Sequence, residues 1–321
     1  MEARADLRLP DLNEIRAAVK RIASYVHRTP ILRCRSIDAM AGCRLFFKCE
    51  NFQKVGAFKA RGAHNAVFSL SPDQAAKGVA THSSGNHAAA LALAACNRGI
   101  DAHIVMPENA PAVKKAAVAG YGARIVECQP TLAARESGLA QVVVETGAHG
   151  VHPYDDARVI AGQGTACLEL LEELPDLDAL LVPVGGGGLA SGSCLAGHGL
   201  KPKLEIFGVE PFGADDAARS LAAGELIPSE NPQTIADGLL TSLSPRTFTA
   251  LQAHLEDILC VDDSAILAAM RLIFERMKMV VEPSSATVLA AVLENKERFA
   301  GKRVGLILSG GNVNLDKLFE S

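Results

Sequence analysis

The sequence predicts an α/β protein with largely parallel sheets that are covered by helices on both faces. Short β-rich runs alternate with Ala-rich amphipathic segments through most of the 321 residues, and this alternation is typical of strands joined by crossover helices. Three polar or glycine-rich loops follow apolar runs, where ligands of such sheets collect. No repeat period indicates a solenoid, and no low-complexity segment indicates a long linker.

The predicted strands are short apolar runs at residues 44–49, 78–81, 102–106, 124–126, 179–184, 205–209 and 304–308. The segments between them have the composition and periodicity of helices. Helices are predicted at residues 86–98, 110–120, 132–146, 160–174 and 264–279. Strands and helices therefore alternate along nearly the whole chain.

The composition is that of a soluble globular protein, with 49% apolar and 21% charged residues, a formal charge of -4 and no Trp. This balance excludes a broad basic surface or a stacking platform for nucleic acid. The eight cysteines form no C-x-x-C pair and indicate neither a zinc knuckle nor a redox dithiol. The charged N-terminus lacks a secretory signal, and no apolar run could span a bilayer. We therefore expect a cytoplasmic protein that binds small molecules, with no nucleic-acid or membrane partner.

Three loops carry most of the polar residues that follow strands. The serine loop contains Ser83, Ser84, Gly85, Asn86 and His87, the glycine run consists of Gly185, Gly186, Gly187 and Gly188, and the Ser309 loop consists of Ser309, Gly310, Gly311 and Asn312. The first two loops precede predicted helices. This recurrence is the first indication of a ligand site.

The glycine run predicts a phosphate site, because glycines let backbone amides turn toward an anion and a helix N-terminus adds partial positive charge. No Lys-Ser/Thr pair follows it, which excludes a Walker loop. Gly185-x-Gly187-x-x-Ala190 does fit the dinucleotide pattern, and Glu205 stands at the spacing of a ribose ligand. An NAD-dependent dehydrogenase therefore stays open as an alternative from another enzyme class.

Lys59 lies in a segment, residues 50–63, that reads ENFQKVGAFKARGA. Taken alone, this lysine would be a solvated helix residue. The segment, however, resembles the cofactor-lysine segment of fold-type II pyridoxal-phosphate enzymes, the family of serine/threonine dehydratases and serine racemase. The serine loop, the glycine run, Val209-Glu210-Pro211 and the Ser309 loop resemble the same family in the same order. The resemblance covers nearly the whole chain.

The resemblance implies a fold similar to the β subunit of tryptophan synthase, with two open, twisted, mostly parallel-sheet domains. Residues 1–77 and 156–321 would form the large domain that binds the cofactor. Residues 78–155 would form a small, mobile substrate domain. The family is typically dimeric, so a homodimer is expected.

The resemblance also implies roles for individual residues. Lys59 would carry pyridoxal 5'-phosphate covalently and act as the catalytic base, and Ser84 would face it as a second catalytic group. The implied cofactor-binding residues are Phe58, Lys59, Asn86, Gly185, Gly186, Gly187, Gly188 and Ser309. The implied substrate-binding residues are Ser83, Ser84, Asn86, His87, Arg135 and Ser242.

The expected reaction is removal of water from a β-hydroxy amino acid. Ser309 would meet the pyridine nitrogen with a hydroxyl, which cannot hold that nitrogen strongly protonated and so favours prompt elimination. Arg135 could pair with a second carboxylate through a bidentate fork, which favours 3-hydroxyaspartate over serine or threonine. Ser84 is typical of serine racemases, so racemisation with side elimination stays open.

The acidic loop, residues 210–216, resembles the divalent-cation loop of the racemase-like branch. Glu210, Ala214 and Asp216 would supply two carboxylates and one carbonyl, a set that suits Mg²⁺, with Mn²⁺ or Ca²⁺ as alternatives. Ala89 and Tyr154 stand where mammalian-type serine racemase has glutamine and asparagine, in its nucleotide-effector region. The resemblance therefore does not extend to activation by ATP.

Overall fold

The structure of the protein is a computed structural model, and it describes residues 7–314. Its strands are β1 (Ile31–Leu32), β2 (Arg44–Cys49), β3 (Val79–His82), β4 (Ala102–Pro107), β5 (Arg124–Cys128), β6 (His149–Gly150), β7 (Ala179–Pro183), β8 (Glu205–Pro211), β9 (Asp257–Val261) and β10 (Arg303–Leu308). They form a six-stranded sheet in the order β1-β2-β10-β7-β8-β9 and a four-stranded sheet in the order β5-β4-β3-β6.

Both sheets are dominated by parallel pairing. In the larger sheet β1 alone runs antiparallel to its neighbour, and in the smaller sheet every pair is parallel. The predicted α/β class with two mostly parallel sheets is therefore confirmed. The domain boundaries at residues 78 and 155 stay a prediction.

The helices pack around these sheets. They are α1 (Leu12–Ile22), α2 (Arg35–Ala41), α3 (Lys59–Phe68), α4 (Pro72–Ala75), α5 (Asn86–Arg98), α6 (Ala112–Gly120), α7 (Leu132–Thr146), α8 (Ala157–Glu173), α9 (Gly188–Leu200), α10 (Asp216–Ala223), α11 (Pro245–His254), α12 (Asp263–Met277), α13 (Pro283–Glu294) and α14 (Lys296–Phe299). Short 3-10 turns lie at Glu50–Phe52, Lys54–Gly56, Phe212–Ala214 and Asp237–Leu239. Within residues 7–314, no helix is both long and apolar enough to cross a bilayer.

Several helix boundaries differ from the prediction, and two of them have a clear local cause. Helix α8 begins at Ala157, earlier than predicted, because the Asp156 side chain accepts a hydrogen bond from the Arg158 amide and caps the first turn. Helix α12 ends at Met277 because Lys278 adopts the left-handed conformation, with φ of 59°.

The fold brings the four motif-bearing loops to the carboxyl ends of strands. The serine loop follows β3 in the smaller sheet, whereas the glycine run, the acidic loop and the Ser309 loop follow β7, β8 and β10 in the larger sheet. Strands β7 and β10 are direct neighbours. The glycine run and the Ser309 loop therefore start from adjacent positions at the carboxyl ends of the strands.

Candidate active site

Lys59 begins α3, and its side chain is half-buried. The Nζ atom donates a hydrogen bond to the backbone oxygen of Pro153, at 2.9 Å. Burial lowers the pKa of Lys59 to about 8, although the negative charge of Glu282 acts in the opposite direction. About a tenth of this amine is therefore neutral at pH 7, far more than for an ordinary lysine, and a nucleophile or base must be neutral.

The Ser309 loop is attached to the backbone just before Lys59. The Phe58 amide donates to the Ser309 oxygen at 2.9 Å, and Ala57 pairs with Gly310. The Ser309 side chain is buried, with its hydroxyl 3.0 Å from the hydroxyl of Ser285. The Phe58 ring lies 5.1 Å from Lys59 Nζ and packs on the core. These contacts bring the predicted ring-binding residues Phe58 and Ser309 together at Lys59.

The glycine run lies under the side chain of Tyr154. A Cβ atom at Gly186 would fall 2.3 Å from the Tyr154 ring, and Gly187 has φ of 81°, so side chains are excluded at both positions. Helix α9 starts at Gly188, and the amides of its first turn have no carbonyl partner within the helix. Because Tyr154 follows Pro153, the same loop contacts both the lysine and the glycine run. An anion at this helix N-terminus would fit the residues present.

The serine loop leads directly into α5, which begins at Asn86. Gly85 occupies the N-cap without a side-chain hydrogen bond, so neither serine caps the helix. Ser83 accepts a 3.3 Å bond from the Gly85 amide, and Ser84 is half-buried. His87 is buried, with Nε2 3.3 Å from the Val151 oxygen, and burial holds its pKa well below the ordinary value. This loop offers hydroxyls, amides and a neutral imidazole.

Glu282 is a buried carboxylate of the site for which the sequence suggested no role. It accepts bonds of 3.1 and 3.2 Å from Asn86 Nδ2 and a 3.3 Å bond from the Asn312 amide. Asn86 Oδ1 accepts a 2.9 Å bond from Asn312. Burial raises the pKa of Glu282 to about 7, with the Asn86 hydrogen bond opposing it. Both polar ends of Asn86 are therefore engaged by residues of the site, and its predicted bond to a cofactor hydroxyl stays a prediction.

The raised pKa of Glu282 predicts a pH-dependent stability. The folded pKa of about 7 lies above the ordinary 4.5. The contribution of the Glu282 carboxyl to the free energy of unfolding is therefore fully present below pH 4.5 and is lost as the pH rises to about 7. We expect Glu282→Gln to gain about 3 kcal/mol in free energy of unfolding relative to the natural protein over this range. Urea unfolding of both proteins at several pH values measures this difference, and a difference independent of pH would contradict the assignment.

Arg135 and His82 form a polar corner beside the site. Arg135 is half-buried on α7, and its Nε atom is buried without a partner among the described residues, as is His82 Nδ1. Burial, and next the Arg135 charge, lower the pKa of His82. The His82 ring meets His152 edge-on at 5.9 Å, and His152 meets Tyr154 edge-on at 4.6 Å. The guanidinium therefore lies near the loop that contacts Lys59.

The acidic loop holds two buried carboxyl groups. Burial raises the pKa of Glu210 to about 9 and that of Asp216 to about 6. The Glu210 oxygens accept bonds from the Ala217 and Ala218 amides at 3.2 and 2.8 Å, whereas both Asp216 oxygens lack a hydrogen-bonding partner of good geometry among the described residues. Burying two carboxyl groups beside each other costs free energy, and the oxygen-only set fits a hard metal ion.

Ala214 is buried beside these acids, as the predicted carbonyl ligand requires. In the part of the chain that the structure describes, no group of three or more His, Cys, Asp or Glu residues is placed to hold a metal ion. Ser242, predicted to contact substrate, is half-buried and accepts a 2.8 Å bond from the Ser229 amide. The Ser229 side chain in turn lowers the pKa of Asp216, so Ser242 lies on the acidic-loop side. Its role toward substrate stays a prediction.

The alternative of a dinucleotide site is wrong. A ribose ligand must lie at the carboxyl end of the second strand, near the glycine-rich turn. Glu205 instead begins β8, opposite Ala179 at the amino end of β7, and pairs with Lys302 at 2.5 Å. Glu205 therefore lies at the amino ends of the strands, opposite to the glycine run at their carboxyl ends.

Comparison with known proteins gives the same family as the sequence motifs. Residues 22–310 match the family model described as pyridoxal-phosphate dependent enzyme. The chain is 51% identical to a β-hydroxyaspartate dehydratase of Paracoccus denitrificans, over 97% of this chain and 98% of that protein. It is 47% identical to the L-threo-3-hydroxyaspartate ammonia-lyase of Saccharomyces cerevisiae, over 96% and 95% of the two chains. The structure of maize serine racemase superposes with a TM-score of 0.95 at 49% identity, covering 98% of this chain and 97% of that one.

Proposed function

Because the chain belongs to the family of pyridoxal-phosphate dependent enzymes, we propose that it is a lyase that removes water from 3-hydroxyaspartate. The product, iminosuccinate, would hydrolyse to oxaloacetate and ammonia. Serine and threonine, which carry the same β-hydroxyl but no second carboxylate, are the next substrates in expected order. The names of the Paracoccus and Saccharomyces relatives support this choice.

The residues around Lys59 fit the cofactor. Pyridoxal phosphate, when bound, withdraws electrons from the α-carbon of an amino acid and so acidifies its proton. Lys59 would hold its aldehyde, the amides of the glycine run and of α9 would hold its phosphate, and Phe58 would pack on its ring. The buried Ser309 hydroxyl, which lies 3.0 Å from the Ser285 hydroxyl, would meet the pyridine nitrogen.

Lys59 is also the proposed base and acid. With a pKa of about 8, its amine can take the α-proton and then deliver a proton to the departing β-hydroxyl. Amides of the serine loop at the start of α5 would hold the α-carboxylate. Ser84 and His87 would line the opposite side of the substrate. Each step uses a group that the structure places at the carboxyl end of β3 or beside Pro153.

The observation that carries the choice of a diacid is the buried Arg135 Nε, which has no partner among the described residues. A buried Nε–H without an acceptor is costly, and a carboxylate would satisfy it while neutralising the charge. The neighbouring His82 Nδ1 also lacks a partner. Serine and threonine offer these groups no second carboxylate.

A substrate panel tests the proposed function. Purified protein with pyridoxal phosphate is incubated with the four 3-hydroxyaspartate isomers, L-serine, D-serine and L-threonine, and ammonia release is measured for each. We expect at least one hydroxyaspartate isomer to give the highest kcat/KM. A protein that releases ammonia from serine faster than from every hydroxyaspartate isomer would overturn the choice of substrate.

Serine racemase with side elimination is the second candidate, and Ser84 favours it. A hydroxyl facing Lys59 could return a proton to the other face of the α-carbon and invert it. The similarity to maize serine racemase also supports racemisation as the activity. A chiral assay with L-serine separates the two, because sustained D-serine formation without dominant pyruvate release would favour the racemase.

The acidic loop is proposed as a Mg²⁺ site, with Glu210 and Asp216 as carboxylate ligands and the Ala214 carbonyl as the third. Mn²⁺ or Ca²⁺ would suit the same oxygen atoms. The burial of two carboxyl groups beside each other supports the proposal, because burial raises the pKa of both and a bound cation would offset that cost. The ion would stabilise the loop and α10 and is not proposed to contact substrate.

Magnesium is expected to raise the melting temperature by about 5 °C when supplied at about 100 times its Kd. Because Glu210, with a pKa of about 9, must release a proton on binding, the apparent Kd should fall about tenfold from pH 7 to pH 8. Thermal unfolding with and without Mg²⁺ at both pH values measures these effects.

Asp216→Asn should abolish the magnesium effect. Asp215→Asn is the matched control, because Asp215 is its neighbour but forms a surface ion pair with Arg219 at 2.8 Å. Equal responses of both variants to Mg²⁺ would contradict the site.

We further propose a cytoplasmic homodimer. Helices α2 and α12 expose large apolar side chains, with Met40 39%, Leu267 46% and Phe274 52% accessible, and such a face is typical of a subunit interface. Sedimentation at micromolar concentration tests it, and a monomer would contradict the proposal.

A further inference from the structure

Four charged side chains are buried together on the side of α3 away from the site. This charge cluster consists of Lys48, Glu50, Arg61 and Glu169, of which the first three are 0% exposed and the last 5%. Its two cations and two carboxylates cancel in charge. Buried charges of this kind require close pairing, and the roles derived above for the site use none of the four.

Arg61 is the centre of the charge cluster. Its guanidinium donates to both Glu50 oxygens, at 2.7 and 2.8 Å, and to both Glu169 oxygens, at 2.7 and 2.8 Å. It also donates to Thr165 Oγ1 at 3.1 Å and to the His27 oxygen at 3.3 Å. One planar fork therefore bridges two carboxylates that belong to different elements, a geometry that an ammonium group cannot reproduce.

The charge cluster joins the start of α3 to the neighbouring elements. Glu50 directly follows β2, Glu169 belongs to α8, and Lys48 in β2 donates to Glu169 at 2.6 Å. Arg61 follows Lys59 by two residues, and side chains at that spacing point to different sides of a helix. The two residues therefore fix opposite sides of the same helical turn.

Helices α3 and α8 touch through glycine where the charge cluster holds them. A Cβ atom at Gly162 would lie 2.6 Å from the Gly62 Cα atom. The Gly62 amide donates to Gln163 Oε1 at 3.1 Å. Because the two glycines let the helix backbones approach this closely, polar bonds between the helices, such as that to Gln163, help to set their relative position.

This relative position matters for the Lys59 amine. Its partner, the Pro153 oxygen, lies four residues before the first residue of α8, and Tyr154 in the same loop covers the glycine run. A shift of α3 along α8 would separate the amine from this carbonyl and admit water to it.

We propose that Arg61 is a positioning residue whose two ion pairs set the register of α3 against α8 and thereby hold the Lys59 amine in its desolvated place beside Pro153. The inference rests on the proposed role of Lys59 as the cofactor-bearing lysine. Fold stability alone would be served as well by apolar side chains, because well-packed hydrophobic replacements of buried ion pairs often match or exceed their stability.

The test compares Arg61→Lys with the natural full-length protein. The variant keeps one buried positive charge but cannot bridge Glu50 and Glu169. In protein freed of cofactor, acylation of the Lys59 amine is followed across pH by peptide mass spectrometry, and pyridoxal phosphate binding is titrated separately. We expect the acylation midpoint to rise by about one pH unit as the amine becomes hydrated, and the Kd for pyridoxal phosphate to rise about tenfold.

Two controls separate positioning from general destabilisation. Arg28→Lys makes the same change on an arginine that pairs with α8 at the surface, through Glu172 and Glu173. Ile273→Ala removes core volume from α12, which lies outside the site. Both should leave the acylation midpoint unchanged and the Kd for pyridoxal phosphate unchanged within about twofold.

Glu50→Gln, which keeps the shape of the acceptor, repeats the test if Arg61→Lys does not fold. The same rise of the acylation midpoint is expected for it.

An unchanged midpoint in Arg61→Lys and Glu50→Gln, with a lowered melting temperature, would overturn the inference and leave the charge cluster a purely structural feature. Failure of the proposed function has a different signature. In that case borohydride would not fix pyridoxal phosphate to Lys59 even in the natural protein.

Discussion

Replacing Lys59 with alanine is expected to lower ammonia release from hydroxyaspartate by about 10⁴-fold or more. The variant loses the amine proposed to hold the cofactor aldehyde and, in the same change, the proposed base, whose pKa of about 8 suits it to neutral pH. The absorbance that a covalently held cofactor shows near ~410–420 nm should also disappear. Steady-state kinetics and the absorption spectrum measure the two losses.

Lys54→Ala is the matched control for this change. Lys54 lies in the same segment, is exposed and carries no proposed role, so its removal should alter neither turnover nor spectrum. Borohydride reduction followed by peptide mapping should place the cofactor on Lys59 in both the natural protein and the control. A Lys59→Ala protein that stays yellow and active would remove the basis of the proposed chemistry.

The positions of strands could be anticipated where the sequence is locally unambiguous. The run at residues 179–184 is wholly apolar and ends at glycines, and it is found as β7, Ala179–Pro183. Strand β9, Asp257–Val261, was not predicted. Its five residues lie between acidic neighbours, and its strand conformation depends on pairing with β8, where Leu259 meets Val209. Such pairing is a property of the sheet and not of the segment.

The same limit applies to the candidate site. Lys59, the glycine run and the Ser309 loop stand out as local motifs. The structure joins the Ser309 loop to the Lys59 segment through a backbone bond and places Tyr154 against the glycine run. Glu282 has no such motif, because an acid before Pro283 has the pattern of a helix start, and its partner Asn86 is distant in sequence. Arg61 was visible beside Lys59, but its partner Glu169 lies in another helix. Long-range partners of this kind could not be read from periodicity or spacing.

The structure adds two observations to what the sequence indicated for Arg135, which lies beside His82. The sequence left Arg135 as a candidate ligand for a second carboxylate. The structure adds that its Nε is buried without a partner in residues 7–314 and that its charge acts on His82. The guanidinium therefore lies in a place where an anionic ligand would remove a cost that the protein alone leaves uncompensated.

Arg135→Ala is expected to lower kcat/KM for 3-hydroxyaspartate about 100-fold while changing that for L-serine less than about threefold. The loss arises because one charged, bidentate contact to the second carboxylate disappears, and serine never makes that contact. Arg135→Lys should fall between, since an ammonium keeps the charge but not the fork. Ammonia release from both substrates gives the ratio directly.

Arg124→Ala is the control for a general loss of positive charge in the same part of the chain. Arg124 is 69% exposed and faces Asp101 at 3.7 Å on the surface, so both substrates should be processed normally. The ratio of the two kcat/KM values, and not either value alone, decides the question, because misfolding or weakened cofactor binding would lower both together. Equal losses on hydroxyaspartate and serine in Arg135→Ala would mean that the guanidinium does not distinguish a diacid, and this reason for preferring 3-hydroxyaspartate would be removed.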